Sequence, residues 1–251
     1  MAAKWFNYLR LEEGPQEGLN PAWWLYHRSL ARTVKRHPYL LANEWIASNI
    51  AQHMRLPIPP FALMRKSGVT TRYFASLDYG KKESPPTDMK PAILCNVLPH
   101  VATGIVVFDM LIGNFDRHEG NVKVDNPLQP TSVELIDHDL SLFGEVAKRG
   151  IERLGSIEGK LGFTKLGNNY EMHKLGKELK TGGHFEYWLE RAEDVPESFI
   201  RDIVSESADL GLTADEAQCV AQFLLRRKQD LRDILKANKS FFPISDWGLF
   251  Q

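Results

Sequence analysis

Asp116, Arg117, His118 and Asn121 fall within six residues of one another, in the stretch GNFDRHEGN from Gly113 to Asn121. Asp137 follows sixteen residues later, with His138 and Asp139 directly behind it in LIDHDLSLFG. Catalysis, metal binding or a polar turn would each use such residue types. Of the reactions, phosphoryl transfer needs this set in this order. One carboxylate orients the attacking hydroxyl, and an amide oxygen with a second carboxylate holds Mg²⁺ against the nucleotide phosphates. Asp116 can fill the first role, and Asn121 with Asp137 the second. Arg117 or His118 can lock the loop or stabilise transferred charge. Asp139 competes with Asp137 for the metal. Asp137 is preferred because the apolar run VELI stops there.

These groups need buried elements to aim them. HVATGIVVFDMLIG reads as a buried helix ending at Gly113, with Pro99 interrupting the apolar stretch before it. NVKV and SVELID read as short strands joined by DNPLQPT. Upstream, apolar residues at Leu41, Trp45, Ile46, Ile50 and Met54 have helical spacing, and LPIPP ends that helix. FALMRKSG and VTTRYFASLDYG form a hairpin pattern about Gly68. Residues 1–40 are aromatic, with turn signals at Gly14-Pro15 and Asn20-Pro21, and are expected to be irregular. The span from Gly150 to Gly183 holds eight glycines in 34 residues and is expected to be a long, mobile loop. Helices are expected over 184–193, 196–210 and 213–238, the last opened by a Thr213/Glu216 capping box.

The layout is thus α+β and two-lobed. Residues 1–80 make a reduced N-terminal lobe of helix 41–55 and the hairpin. Residues 81–91 cross between lobes. Residues 92–251 make a mostly helical C-terminal lobe carrying the loop 113–121 and the metal-binding segment 135–144.

DRHEGN resembles the D-R-H-x-x-N catalytic loop of phosphoinositide kinases, and is similar to the D-x-H-x-x-N loop of HipA-like Ser/Thr kinases. LIDHD resembles the metal-binding aspartate segment that follows in both. Aminoglycoside phosphotransferases share a related Asp…Asn…Ile-Asp pattern. ANEWIASNIAQHMRLPIPP resembles the HipA-like NE…A…LGLPVP segment, whose glutamate lies on a helix and pairs with the nucleotide-binding lysine. Glu44 holds that position here. The resemblance covers roughly residues 41–144, and the helical half beyond them more loosely. It implies a protein-kinase-like fold, ATP and Mg²⁺ as cofactors, and transfer to a protein hydroxyl. Asp116, Arg117 and His118 would be catalytic, Asn121 and Asp137 metal ligands, and Glu44 a nucleotide-site residue.

The families place a phosphate-covering turn and a strand lysine before the glutamate helix. No Gly-rich loop precedes Glu44. Lys4, in AAKWF, is the candidate lysine. Lys35 lies only nine residues from Glu44, too close for a strand, a turn and a helix start. Three outcomes stay open. The nucleotide is held differently, a partner chain completes the N-terminal lobe, or a degenerate fold binds nucleotide without transferring phosphate. A metal-dependent phosphohydrolase is a further alternative, since His138-Asp139 is a literal HD pair and His118 and Asp116 could add ligands.

Composition sets limits. A net charge of −1 gives no basic field for nucleic acid. No apolar run approaches the ~18 residues of a membrane span, and the first residues lack a signal-peptide core. Cys95 and Cys219 have no ligand spacing, which fits a reducing cytoplasm.

Overall fold

The computed structural model describes residues 8–13, 23–27, 29–33, 37–65, 71–77, 86–163 and 173–248. Lys4 and Lys35 lie outside them, as does the stretch 14–22 that joins the first two strands. Residues 1–40, expected to be irregular, contain three strands: β1 (Tyr8–Glu13), β2 (Trp23–His27) and β3 (Ser29–Arg32). Their aromatic and leucine content is strand composition. The Gly-Pro and Asn-Pro signals fall between β1 and β2 rather than marking a structureless start. The two pair antiparallel, so the chain ahead of Glu44 does form a hairpin. β3 joins β4 (Phe61–Arg65) and β5 (Arg72–Leu77) in a three-stranded antiparallel sheet with β5 in the centre. Arg32 pairs with Phe74 in its register.

Between β3 and β4 runs α1 (Leu40–His53), buried over most of its circumference. It packs on β5 and on α6 (Glu197–Ser207) of the C-terminal half, which explains why its apolar residues exceed one stripe. Arg55, in the left-handed region at φ 62°, turns the chain out of α1, and the prolines of LPIPP keep it extended. That extended segment is used: Leu135 N–H donates to Pro57 O at 2.7 Å.

The second half of the expected crossing is built into a sheet. β6 (Thr87–Asp88) pairs with β7 (Val122–Val124), which pairs with β8 (Val133–Leu135). α2 (Pro91–Val97) and α3 (Pro99–Ile112) follow one another with a sharp bend of 118°. Every residue of α3 from Ala102 to Ile112 is buried, against α5 (Phe185–Glu193) and α7 (Ala214–Ala237). Among the described residues no single helix is long and apolar enough to cross a membrane.

The glycine-rich span departs from expectation. Residues 150–157 form α4, because Gly150 and Gly155 punctuate an amphipathic pattern without breaking it. The α7 capping box is present, and its Glu216 also accepts the Tyr39 hydroxyl at 2.6 Å. Tyr39 stacks on Phe143 at 4.9 Å. The start of the last helix is thereby tied to the start of α1 and to the segment after Asp137.

Gly104 shows how tightly α3 is packed. A Cβ there would lie 2.4 Å from the Trp188 indole, whose Nε1–H donates to His100 O. Alanine gains about 1 kcal/mol in helix propensity, but overpacking of this kind costs about 1–3 kcal/mol. Gly104→Ala is expected to lower the urea midpoint at unchanged m-value. An unchanged or raised midpoint would contradict the close approach.

Candidate active site

The loop after α3 is shaped from its first residue. Gly113 closes α3 in the left-handed region at φ 60°, and a Cβ there would meet Ile157 at 2.3 Å. Asn114 then turns the chain. Its amide donates to Asp109 Oδ1 at 3.0 Å, and its Oδ1 accepts the Asp116 N–H at 3.0 Å. Asp116 is left half-buried. Asn121 Nδ2 donates to Asp116 O at 2.8 Å, which fixes which end of the amide is its oxygen. His118 Nδ1 accepts the Gly120 N–H, and its Nε2 lies 3.9 Å from Asp116 Oδ2.

Asp109 is the residue that sequence reasoning missed. It is fully buried in α3 and accepts four side-chain hydrogen bonds: two from Arg117 (2.8 and 2.9 Å), one from Asn114 and one from His173 (2.9 Å). Burial alone would raise its pKa, but Arg117 and His173 hold it well below the usual carboxylate range. The signal was available, since a lone acid in an apolar helix must be paired.

Arg117 is therefore not a group that faces substrate. Its guanidinium is buried and committed, with Nη1 donating to Asn121 O and Ile136 O at 3.0 and 3.1 Å. It staples the loop to the residue before Asp137. Arg117 Nη2 also meets His138 Nδ1 at 3.2 Å. Burial, then the Arg117 charge, hold His138 down at about 3, so its ring stays neutral. His138 is buried, and its Nδ1 is occupied by Arg117.

Two further arginines fix the base of the loop. Arg153 of α4 donates to Gly113 O at 2.7 Å and lies over the Phe115 ring. Arg227 of α7 donates to Ile157 O, Lys160 O and Leu161 O at 2.6–3.0 Å. Both are buried.

The segment 135–144 is held from α1. Asn43 Nδ2 donates to Asp139 O at 2.7 Å, and Asn43 Oδ1 accepts the Phe143 N–H at 3.4 Å. The adjacent Glu44 is buried and faces Arg32 of β3, at 3.3 Å. Arg32 also grips both oxygens of Asp137, its Nη2 reaching Oδ2 at 2.9 Å. Lys4 and Lys35 lie outside the described residues; among the described residues the cation facing Glu44 is Arg32, on the strand before the glutamate helix. SLAR carried little sign of it, because it has neither β-branched nor aromatic residues to mark it as a strand.

The charges interact. Burial would raise Asp137, but the hydrogen bonds and charge of Arg32 outweigh it and hold Asp137 low. Burial and the Asp137 charge push Asp139 up to about 7, with Asp116 adding to the rise. Burial, then Asp137, push Glu44 up to about 8. Asp137 itself stands in the left-handed region at φ 63°, uncommon outside glycine and tolerated best by Asp and Asn.

Among the described residues no three His, Cys, Asp or Glu side chains converge as a metal cage. Mg²⁺ asks for less, namely one or two carboxylates beside substrate phosphates. Asp137, the neighbouring Asp139 and the freed amide oxygen of Asn121 are hard oxygen donors of that kind, and they fit it.

A cavity of about 240 Å³ opens beside Arg32. Leu30, Phe61, Phe74 and Leu77 line it from the sheet, Ile58 and Pro59 from LPIPP, and Leu135 from β8 with Ile136 directly after it. Arg32, Glu44 and Asp137 form its polar end. Pockets that enclose whole drug-sized ligands run to ~300–1,000 Å³, so this one suits a single flat ring system.

Residues 31–152 match the HipA-like kinase family. That segment holds Arg32, Glu44, Asp116, Asn121 and Asp137. The whole fold is similar to the crystal structure of the Helicobacter pylori proinflammatory kinase CtkA, with a TM-score of 0.59 over 84% of this chain and 90% of that one. At 14% identity the likeness is one of fold. The HipA chain of the Shewanella oneidensis MR-1 toxin–antitoxin system, solved with HipB and operator DNA, aligns at 12% identity over 90% of this chain and 67% of that one, with a TM-score of 0.41. No curated protein matches the chain in sequence.

Asp109→Asn leaves Arg117 buried against a neutral amide and is expected to cost about 3–5 kcal/mol. Because the folded pKa is depressed, this stability is present above the unfolded value of about 3.9 and is lost as pH falls below it. Urea unfolding should therefore separate the two proteins widely at pH 7 and progressively less below about pH 4. A gap that does not narrow would rule out ionised Asp109 as its source.

Proposed function

We propose that this chain is an ATP- and Mg²⁺-dependent phosphotransferase of HipA-like type that acts on a Ser or Thr hydroxyl of a protein. The observation that carries the reading is the Arg32–Glu44–Asp137 contact, which closes the polar end of an apolar cleft. It joins β3, α1 and the metal-binding segment at one point. The adenine ring is read into the cleft, between the side chains of the sheet and those of β8. The phosphates then pass Arg32, whose planar fork matches phosphate oxygens and whose place Glu44 fixes.

Asn121 and Asp137 would hold the metal, with Asp139 beside them. When bound, Mg²⁺ supplies charge neutralisation and orientation of the phosphates. Asp116 orients the attacking hydroxyl and accepts its proton. His118 stands beside that carboxylate. Arg117 acts one step removed, by holding Asn121 and Ile136 in place. Support for a protein hydroxyl as acceptor comes from the HipA-like resemblance of the loop.

Arginine in place of lysine, already paired with Asp137, also favours a module that binds nucleotide without transferring phosphate. The two readings separate in one experiment. Mg-ATP should raise the melting temperature of the wild type, by the equivalent of about 2.7 kcal/mol at a hundredfold excess over Kd. Transfer of radiolabelled γ-phosphate to the chain itself or to a generic protein acceptor should then follow. Asp116→Ala should abolish transfer and keep the thermal shift. No shift at millimolar Mg-ATP would sink the nucleotide reading. A shift with no transfer in the wild type would favour the binding module.

A further inference from the structure

Arg32 does more here than point at a cleft. It reaches from β3 to two acids on two other elements, and its strongest contact is with the residue read as the metal ligand. Both Asp137 oxygens are engaged, while Glu44 receives one longer contact of 3.3 Å. Asp139 is the third acid in its field. We infer that Arg32 serves as a built-in counter-ion on Asp137, so that the nucleotide-free protein excludes a divalent cation and takes one up only when phosphate draws the guanidinium away. The inference rests on the reading of Asp137 as the metal ligand.

The physical case has three parts. A bidentate guanidinium uses a lone pair on each carboxylate oxygen and leaves the others, so the coordination sites survive. The obstacle is charge, because a divalent ion on the same carboxylate would sit beside a full positive charge in a half-buried site. A nucleotide removes the obstacle by offering Arg32 a second anion. Glu44, buried and 3.3 Å from the guanidinium, offers it a second acceptor beside Asp137. Lysine would serve less well. Its ammonium is a point charge that cannot cover both oxygens at once.

The coupling has a direction that can be measured without turnover. Mn²⁺ is titrated into nucleotide-free protein and the free ion is read by electron paramagnetic resonance. Arg32→Gln should bind Mn²⁺ about ten-fold tighter than the wild type, within the usual range of coupling between two sites. Arg32→Lys should fall between them. Adding Asp137→Asn to Arg32→Gln should erase the gain. Equal or weaker binding by Arg32→Gln overturns the inference, and so does a gain that survives Asp137→Asn. If circular dichroism shows Arg32→Gln to be unfolded, Arg32→Lys decides alone: tighter than wild type supports the counter-ion, equal or weaker overturns it. The nucleotide reading fails separately. A tighter Mn²⁺ site in a protein that shows no shift with Mg-ATP leaves the counter-ion standing and removes the kinase. A normal Mg-ATP shift with no gain in Mn²⁺ affinity does the reverse.

Discussion

The carboxylate of Asp109 and the guanidinium of Arg117 meet without solvent, 2.8 Å apart, inside the apolar middle of the larger half. A buried pair of this kind adds little net stability relative to an apolar core. What it contributes is position. Each group must satisfy every remaining donor or acceptor, and the partners recruited are the backbone of the loop after α3, the residue before Asp137, Asn114 and His173. The loop is therefore placed by the demands of a buried charge rather than by its own turn chemistry. Of the loop residues expected to be catalytic, the pair consumes Arg117 and leaves the side chains of Asp116 and His118 outside it.

A second constraint comes from α1. Asn43 and Glu44 are neighbours in sequence, yet they hold different things. Asn43 fixes the backbone of the segment after Asp137, and Glu44 addresses the strand cation. A rotation or shift of α1 cannot disturb one without the other. Because α1 packs on α6 as well as on β5, this pair is referenced to the helical half and not only to the small sheet.

Legibility in the sequence followed the source of each interaction. The end of α3 at Gly113, the β7–β8 pair and the Thr213/Glu216 cap were readable because local residues decide them. Strands β1 to β3 were not, because short aromatic runs between proline turns show no clear period. α4 was hidden by glycines that proved compatible with a helix. Asp116 and Asp137 were singled out from their spacing and Glu44 from a resemblance, whereas Arg32 and Asp109 were not singled out at all. The role of Arg32 depends on a partner 105 residues away, which is not visible along the chain, whereas Asp109 left a signal as a lone acid in an apolar helix. Arg153, in the span expected to be a loop, and Arg227, in the last helix, clamp backbone carbonyls in the core through partners also distant along the chain.

Glu216 carries a consequence for the way the protein opens. One of its oxygens caps the first turn of the last helix, and the other holds Tyr39, whose ring lies on Phe143. Helix ends are where local unfolding ordinarily begins, at little free-energy cost. Here fraying of that turn would also release the ring that covers the end of the metal-binding segment. The first turn of α7 and residues 139–144 thus belong to one cooperative unit, and amide exchange in the two should share a rate although 70 residues of chain separate them.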